Sequence, residues 1–218
     1  MYKLFYYPGN ANLAPHMLLE EIGAPYELVL LDRDNNAHKS GEYLKMNPSG
    51  RIPVLIDGHS QPPLVLFETT AICLHLCDRH PEANLAPQKL GSPERAHFYK
   101  WIAYLTNTLQ SELLTYFYPD RITDDEAGAA VVRRHAEARV GAMLEILDRA
   151  IDESGGPWLL GAQYTALDPY LMMLCRWTRG MAKPARTYAR LGLFLEAMAA
   201  RPAIQRAFEQ EGLKAPLY

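Results

Sequence analysis

The chain has 218 residues, with 22 Lys+Arg against 25 Asp+Glu and a formal charge of −3, which disfavours nucleic-acid binding through a basic domain. Hydrophobic residues at 49% and charged residues at 22% describe an ordinary globular chain, able to bury roughly 70% of its unfolded surface. Its apolar runs fall far short of the ~20 residues of a membrane span, and Cys73, Cys77 and Cys175 have neither a disulfide-framework spacing nor a metal-ligand set around them. They read as buried helix residues of a protein in a reducing compartment, and the cytoplasm is the expected location.

In chain order, Tyr2–Tyr7 reads as a strand running into a Pro8-Gly9 turn rather than as a signal segment. Leu13–Ile22 carries Leu13, Met17, Leu18 and Ile22 at helical spacing, and Tyr26–Leu31 follows as a second strand, parallel to the first because a helix joins them. Ile52–Ile56 and Leu64–Phe67 read as strands three and four with Asp57-Gly58 as a hairpin turn, and Thr69–Arg79 as a helix. From about residue 90 the strands disappear. Ser92-Pro93 opens a long helical segment to about Tyr116, and Thr123-Asp124-Asp125-Glu126 reads as a capping box for a helix that Gly155-Gly156 stops. Thr165-Ala166-Leu167-Asp168 repeats the capping pattern, and a helix opened by Pro202 closes the chain. The expected organisation is an α/β domain over 1–80, a linker over 81–91 and an all-helical domain over 92–218. All of the net charge, 6 Lys+Arg against 9 Asp+Glu, lies in the first 80 residues.

Five places can carry chemistry, each with a plainer structural explanation beside it. Ile52-Pro53 is either an ordinary strand start or a cis peptide that turns Ile52 N–H and C=O toward an extended peptide. Glu68-Thr69 either caps the helix or binds an α-amino-acid head, with Thr69 and the helix N-terminus on the carboxylate and Glu68 on the ammonium. Tyr6 and Tyr7 alternate across the first strand, so one packs inward while the other can donate to a bound thiolate. The loop amides, Asn10 and Asn12 can serve the same purpose. His38-Lys39 is either solvated or paired with the far carboxylate of a peptide ligand, and the helical half holds more aromatics than a polar surface needs, including Trp101, Tyr104, Tyr116, Phe117 and Trp177.

These elements in this order resemble the cytosolic glutathione S-transferase superfamily along essentially the whole chain. The resemblance rests on four features in register. They are the run Tyr6-Tyr7-Pro8-Gly9-Asn10-Ala11-Asn12-Leu13-Ala14-Pro15-His16, the stretch Asn47–Leu55, Glu68-Thr69 before its helix, and the Thr165–Asp168 capping motif. The resemblance implies a thioredoxin-like N-terminal domain, an all-α C-terminal bundle and a homodimer. Glutathione would be the cosubstrate, with no metal and no other cofactor. It implies that Ile52 holds the cysteinyl part of glutathione beside a cis Pro53, that Glu68 and Thr69 hold the γ-glutamyl head, and that His38, Lys39 and Arg51 face the glycyl carboxylate. The first strand and the Pro8-Gly9 spacing look most like the bacterial beta class. Where that class carries a cysteine that forms a mixed disulfide with glutathione, this chain has Ala11, followed by Asn12, and Gln110 stands in place of a helix histidine.

A covalent cycle at residue 11 is therefore excluded, and the thiol has to be activated noncovalently, by Tyr6 or by Asn10, Asn12 and the loop amides. The expected activity is conjugation of glutathione to a hydrophobic electrophile lodged against Tyr104, Gln110, Tyr116 and Trp177. Glutathione-dependent disulfide reduction, or a glutathione-binding module without catalysis, are the alternatives. Neither nucleic acid nor membrane is an expected partner.

Overall fold

A computed structural model describes residues 1–218. Its first elements are β1 (Tyr2–Tyr6), α1 (Leu13–Ile22), β2 (Tyr26–Leu30), a short α2 (Gly41–Met46), β3 (Val54–Asp57), β4 (Leu64–Phe67) and α3 (Thr69–Arg79). The strands form one sheet in the order β2-β1-β3-β4. β1 pairs with β2 in parallel, Tyr2 opposite Tyr26, and the β1/β3 and β3/β4 pairs are antiparallel. Strand periodicity sorts β1 cleanly. Tyr2 and Leu4 are fully buried on one face, while Phe5 and Tyr7 pack on the other against Leu31, Tyr43, Ile52 and Val54.

The helical part continues with α4 (Pro93–Ala103), a π-helical stretch over Tyr104–Gln110, α5 (Ser111–Phe117), α6 (Glu126–Ser154), α7 (Leu167–Trp177), α8 (Ala189–Ala199) and α9 (Pro202–Gln210). No helix is long and apolar enough to cross a membrane. Ser92 caps α4 by accepting from Arg95 N–H, and Gly155 ends α6 in the left-handed conformation (φ 71°) that favours a residue without Cβ. Asp168 Oδ2 accepts from Thr165 N–H at 2.7 Å and Oδ1 from Leu159 N–H at 3.1 Å, so the Thr165–Asp168 motif pins α7 as well as starting it. Ten consecutive residues of α7, Leu167 to Arg176, are buried, as expected of a helix at the centre of its bundle.

Several expectations need correction. Asp57-Gly58 is not a two-residue turn: β4 begins only at Leu64, and Asp57 ends β3 fully buried. Its carboxylate accepts from His59 N–H (2.9 Å) and His59 Nδ1 (2.8 Å) within the longer loop that joins β3 to β4, and from His75 Nε2 (2.9 Å), which ties the strand end to α3. The cap of α6 is Asp125, which accepts from Gly128 N–H at 2.7 Å. Thr123 Oγ1 accepts from Asp125 N–H, one step earlier than the sequence pattern suggests. The compact units also differ from the sequence division. One consists of Met1–Ala86 with Ala199–Lys214, the other of Pro87–Met198 with Ala215–Tyr218. Within the first, α9 buries Ala203, Ile204, Ala207 and Phe208 and packs on α1, where Arg201 forks onto Glu21 at 2.7 and 2.9 Å and Arg206 meets Glu20. The apolar stripe and the two ion pairs together recruit a C-terminal helix to α1 of the N-terminal part.

Cys73, Cys77 and Cys175 form no disulfide and are buried as expected, and burial pushes the Cys73 and Cys175 thiols up, away from thiolate chemistry.

Asp57 yields a pH prediction. Burial alone would raise its pKa, but the hydrogen bonds from His59 N–H, the His75 ring and the His59 ring outweigh it and hold the carboxyl at about 2. The folded value lies below the unfolded one of about 3.9, so this stabilisation is complete above about pH 5 and is lost as pH falls through 2. Urea unfolding across that range should show Asp57→Asn less stable by about 2–3 kcal/mol at pH 6, with the gap closing toward pH 2. A gap independent of pH would contradict this role.

Candidate functional site

The chemistry-bearing residues of the first unit gather around the loop that leaves β1. Asn12 is fully buried, its Oδ1 accepting from Tyr7 N–H at 3.1 Å and its Nδ2 donating to Glu211 Oε1 at 2.8 Å. Glu211, 4% exposed just after α9, also accepts from Gly9 N–H at 2.7 Å and from His16 Nδ1 at 2.8 Å. One buried carboxylate thus holds both ends of the 9–12 loop and a residue of α1. Nothing in the local pattern of residues 205–218 marks Glu211. Only the unexplained polar character of Asn12, just before α1, and of His16 on its buried face hints that a distant partner is needed. Asn12, expected as a thiol-activating group, is bonded at both ends of its amide and braces the loop. Asn10 differs, because its Oδ1 accepts from Ala11 N–H at 2.9 Å while its Nδ2 makes no hydrogen bond.

Tyr6 and Tyr7 part as strand alternation requires. Tyr7 packs with Phe5 and donates to Asp34 at 3.4 Å. Tyr6, on the opposite face, is half-buried, and its hydroxyl has no partner within the chain. Burial and then the charge of Glu211 push the Tyr6 phenol up, so the group stays protonated and acts as a donor.

Beyond the loop, the turn before β3 is tightly built. Asn47 is buried, accepts from Ser49 N–H (3.0 Å) and Oγ (2.7 Å), and donates from Nδ2 to Arg51 C=O at 2.8 Å, an acceptor it shares with Tyr43 Oη at 2.8 Å. Gly50 sits at φ 58°, and a Cβ there would lie 2.7 Å from Lys39 Nζ, so this turn and the His38-Lys39 segment are neighbours. The Ile52–Pro53 peptide is cis. The Ile52 side chain is anchored in the cluster with Tyr43 and Val54, and its backbone N–H and C=O take no part in the strand ladder. The Arg51 side chain is exposed. His38 Nδ1 is buried without a partner, and burial, followed by the charges of Lys39 and Arg33, pushes the imidazole pKa down, leaving a neutral ring.

Glu68 is the most distinctive residue of the group. It stands at φ 71°, ψ 114°, a conformation costing a non-glycine residue about 1–3 kcal/mol, and its exposed carboxylate bonds to nothing in the chain. It precedes α3, which no side chain caps. Buried Thr69 instead donates its hydroxyl to Ala11 C=O at 3.3 Å, linking the helix start to the β1 loop.

In the second unit the expected pocket residues fall into separate groups. Tyr104 meets Trp101 edge to face at 5.6 Å, and Gln110 accepts from Tyr170 Oη. Tyr116 and Trp177 each contact Phe117, at 5.2 and 6.3 Å between ring centroids. A cleft of about 530 Å³ along α6, lined by residues such as Arg134, Glu145, Met181 and Lys183, contains none of them.

Comparison with known proteins places these features in a family. Residues 1–78 match the model of the glutathione S-transferase N-terminal domain, and residues 107–211 that of its C-terminal domain. Glutathione S-transferase GstA of Escherichia coli O157:H7 is 31% identical over 216 residues, covering 97% of this chain and 100% of that one. Among solved structures, the glutathione S-transferase of Xylella fastidiosa superposes with a TM-score of 0.86 at 29% identity, covering 98% of this chain and 100% of the other. A sphingomonad glutathione S-transferase complexed with glutathione reaches 0.81 at 29%, covering 97% and 100%.

The Glu211 network can be tested directly. Removing the carboxylate takes the acceptor from two buried donors and from the half-buried Gly9 N–H, so Glu211→Ala should lower the unfolding free energy by about 3 kcal/mol or more. It should also speed Gly9 amide hydrogen exchange well beyond the global change. Equal acceleration at every protected amide would mean that the carboxylate does not hold the loop.

Proposed function

The chain belongs to the glutathione S-transferase family, and from that premise we propose that its first unit binds glutathione, stabilises the bound thiolate without a protein thiol, and delivers it to a hydrophobic electrophile. The observation that carries the proposal is Glu68, an unpaired carboxylate in a strained backbone conformation beside the uncapped start of α3. Strain persists where the surrounding structure enforces it, and an unpaired carboxylate beside open helix amides suits a ligand that brings an ammonium and a carboxylate together. The γ-glutamyl head of glutathione is such a ligand. In this reading Thr69 N–H takes its carboxylate and Glu68 its ammonium. The backbone of Ile52, beside Pro53, pairs with the cysteinyl residue as one more short strand would. Lys39 and Arg51 meet the glycyl carboxylate by charge, and His38 meets it as a neutral donor.

Activation of the thiol is assigned to Tyr6 and to Asn10 Nδ2. Both are donors that remain neutral, so each stabilises a thiolate without exchanging a proton with it. Asn12 acts one step back, by fixing the loop. The buried cysteines take no part, because desolvation holds the Cys73 and Cys175 thiols in their protonated form. Rate enhancement then comes from a lowered thiol pKa and from proximity, and the aromatic groups of the helical unit, Tyr104, Tyr116 and Trp177, are the candidate contacts for the electrophile.

Two measurements test the assignment. Glu68→Ala should weaken glutathione binding at least tenfold by calorimetry, since an ammonium loses its charged partner, and unchanged affinity would remove the γ-glutamyl assignment. Tyr6→Phe should raise the pKa of bound glutathione, read from thiolate absorbance near 240 nm, by about one unit, the worth of one hydrogen bond to a charged group. If it does not, Asn10→Ala should do so. Turnover of a small disulfide in preference to an aryl halide would instead assign the protein to reduction.

A further inference from the structure

The peptide that joins Arg51 to Ile52 lies outside the sheet, because β3 begins only at Val54, so no strand partner fixes its plane. Two side chains fix it instead. Tyr43 Oη and Asn47 Nδ2 both donate to Arg51 C=O at 2.8 Å, one from α2 and the other from the turn that follows it. Both residues are 2% exposed, and together they occupy the two lone pairs of one carbonyl oxygen. Asn47 is itself held, its Oδ1 accepting from Ser49 N–H and Oγ, and the Tyr43 ring packs edge to face on Phe5 at 5.9 Å. One bond satisfies a buried carbonyl, so the second donor adds orientation rather than satisfaction. A trans peptide is planar, with its C=O and N–H antiparallel. Holding the oxygen therefore also sets the direction of the Ile52 N–H, which has no acceptor within the chain.

Resting on the glutathione-binding reading above, we propose that Tyr43 and Asn47 are positioning residues: by pinning Arg51 C=O they aim the Ile52 N–H at the cysteinyl carbonyl of bound glutathione. Neither side chain need touch the ligand. Gly50, at φ 58°, stands just before this peptide and gives the turn a freedom that the two bonds remove. With the plane set before the ligand arrives, binding does not have to order it, and the cost that a loose loop would carry is avoided. Hydrogen bonds accepted by a carbonyl also polarise the N–H of the same peptide group, which makes it a stronger donor in surroundings of low dielectric. Burial pushes the Tyr43 phenol up, so its hydroxyl stays protonated and keeps donating.

The experiment compares wild type with Tyr43→Phe, which keeps the packed ring and loses one of the two donors. Calorimetry gives Kd for glutathione, for γ-glutamylcysteine, which lacks glycine but keeps the cysteinyl carbonyl oxygen, and for γ-glutamylcysteamine, which lacks both. The variant should bind the first two about fivefold more weakly, roughly the worth of one neutral hydrogen bond, while its Kd for γ-glutamylcysteamine stays within about twofold of wild type. In amide spectra the Ile52 proton should move downfield when glutathione is added to wild type, and by less than about half as much in the variant. A loosened fold would weaken all three ligands alike, and that result overturns the inference, as does an unchanged Kd for glutathione. If Tyr43→Phe does not fold, Asn47→Asp carries the same test, because its carboxylate still accepts from Ser49 but turns an oxygen instead of a donor toward Arg51 C=O. A wild type that binds none of the three removes the glutathione reading together with this inference. A wild type that binds them, with equal losses in the variant, removes only the role of Tyr43 and Asn47.

Discussion

The architecture of the first unit turns on one buried carboxylate. Glu211 sits where an unpaired charge would cost several kcal/mol, and it is tolerated because Gly9 N–H, Asn12 Nδ2 and His16 Nδ1 all point at it. Each of these donors would be a buried liability without the carboxylate, and the carboxylate would be one without them. This mutual dependence fixes the path of the chain between β1 and α1. That path in turn presents Ala11 C=O to Thr69 and leaves Asn10 Nδ2 unbonded. The geometry of the candidate thiol site is therefore set by a residue that need not touch the ligand.

Electrostatics constrain the site in a second way. The first 80 residues carry a net charge of −3, and Glu211 adds a negative field that raises the Tyr6 pKa, so the unit is poorly suited to holding an anion by overall attraction. In the proposed reading the donors that remain are local and mostly neutral: the backbone of Ile52, Thr69 N–H, the His38 ring and the Tyr6 phenol. Lys39 and Arg51 add the positive charges. Neutral, preoriented donors favour a charged sulfur without demanding a compensating buried cation, which would carry its own desolvation cost.

Much of the fold was legible in the sequence because it is written locally. The apolar spacing of Leu13–Ile22 and the polar flanks of Thr69–Arg79 give α1 and α3 their observed limits, Ser92-Pro93 starts α4, and Thr165–Asp168 caps α7. Ile52-Pro53 and Glu68-Thr69 stand out in the sequence through the family resemblance, since residue type alone suits an ordinary strand start and a helix cap; the peptide before Pro53 is cis, whereas nothing in the residue type of Glu68 announces its φ of 71°. What the sequence hid is non-local. Asp57 reads as a turn residue beside Gly58, and only the packing of α3 against the sheet brings His75 to it. Glu211 reads as the polar end of a helix, and its partners lie about 200 residues away in the chain. The π-helical winding of Tyr104–Gln110 has no signature in residues that would suit an α-helix equally well. Asn12 reads as a candidate for the thiol site, and its bonds to Tyr7 N–H and Glu211 join segments that no local pattern connects.

The discontinuity of the first unit has a consequence for how the protein is made. Residues 1–86 leave the ribosome first, with every strand of the sheet and α1 and α3 in hand, yet without α9 or the acceptor for Gly9, Asn12 and His16. That acceptor arrives only after the whole of Pro87–Met198 has been translated, a delay of about ten seconds at ordinary elongation rates. During this interval Asn12 Nδ2 and His16 Nδ1 lack their acceptor, and the ordering of the 9–12 loop waits for α9. Maturation of the binding loop is thereby placed at the end of synthesis, when the helical bundle already exists, rather than at its beginning.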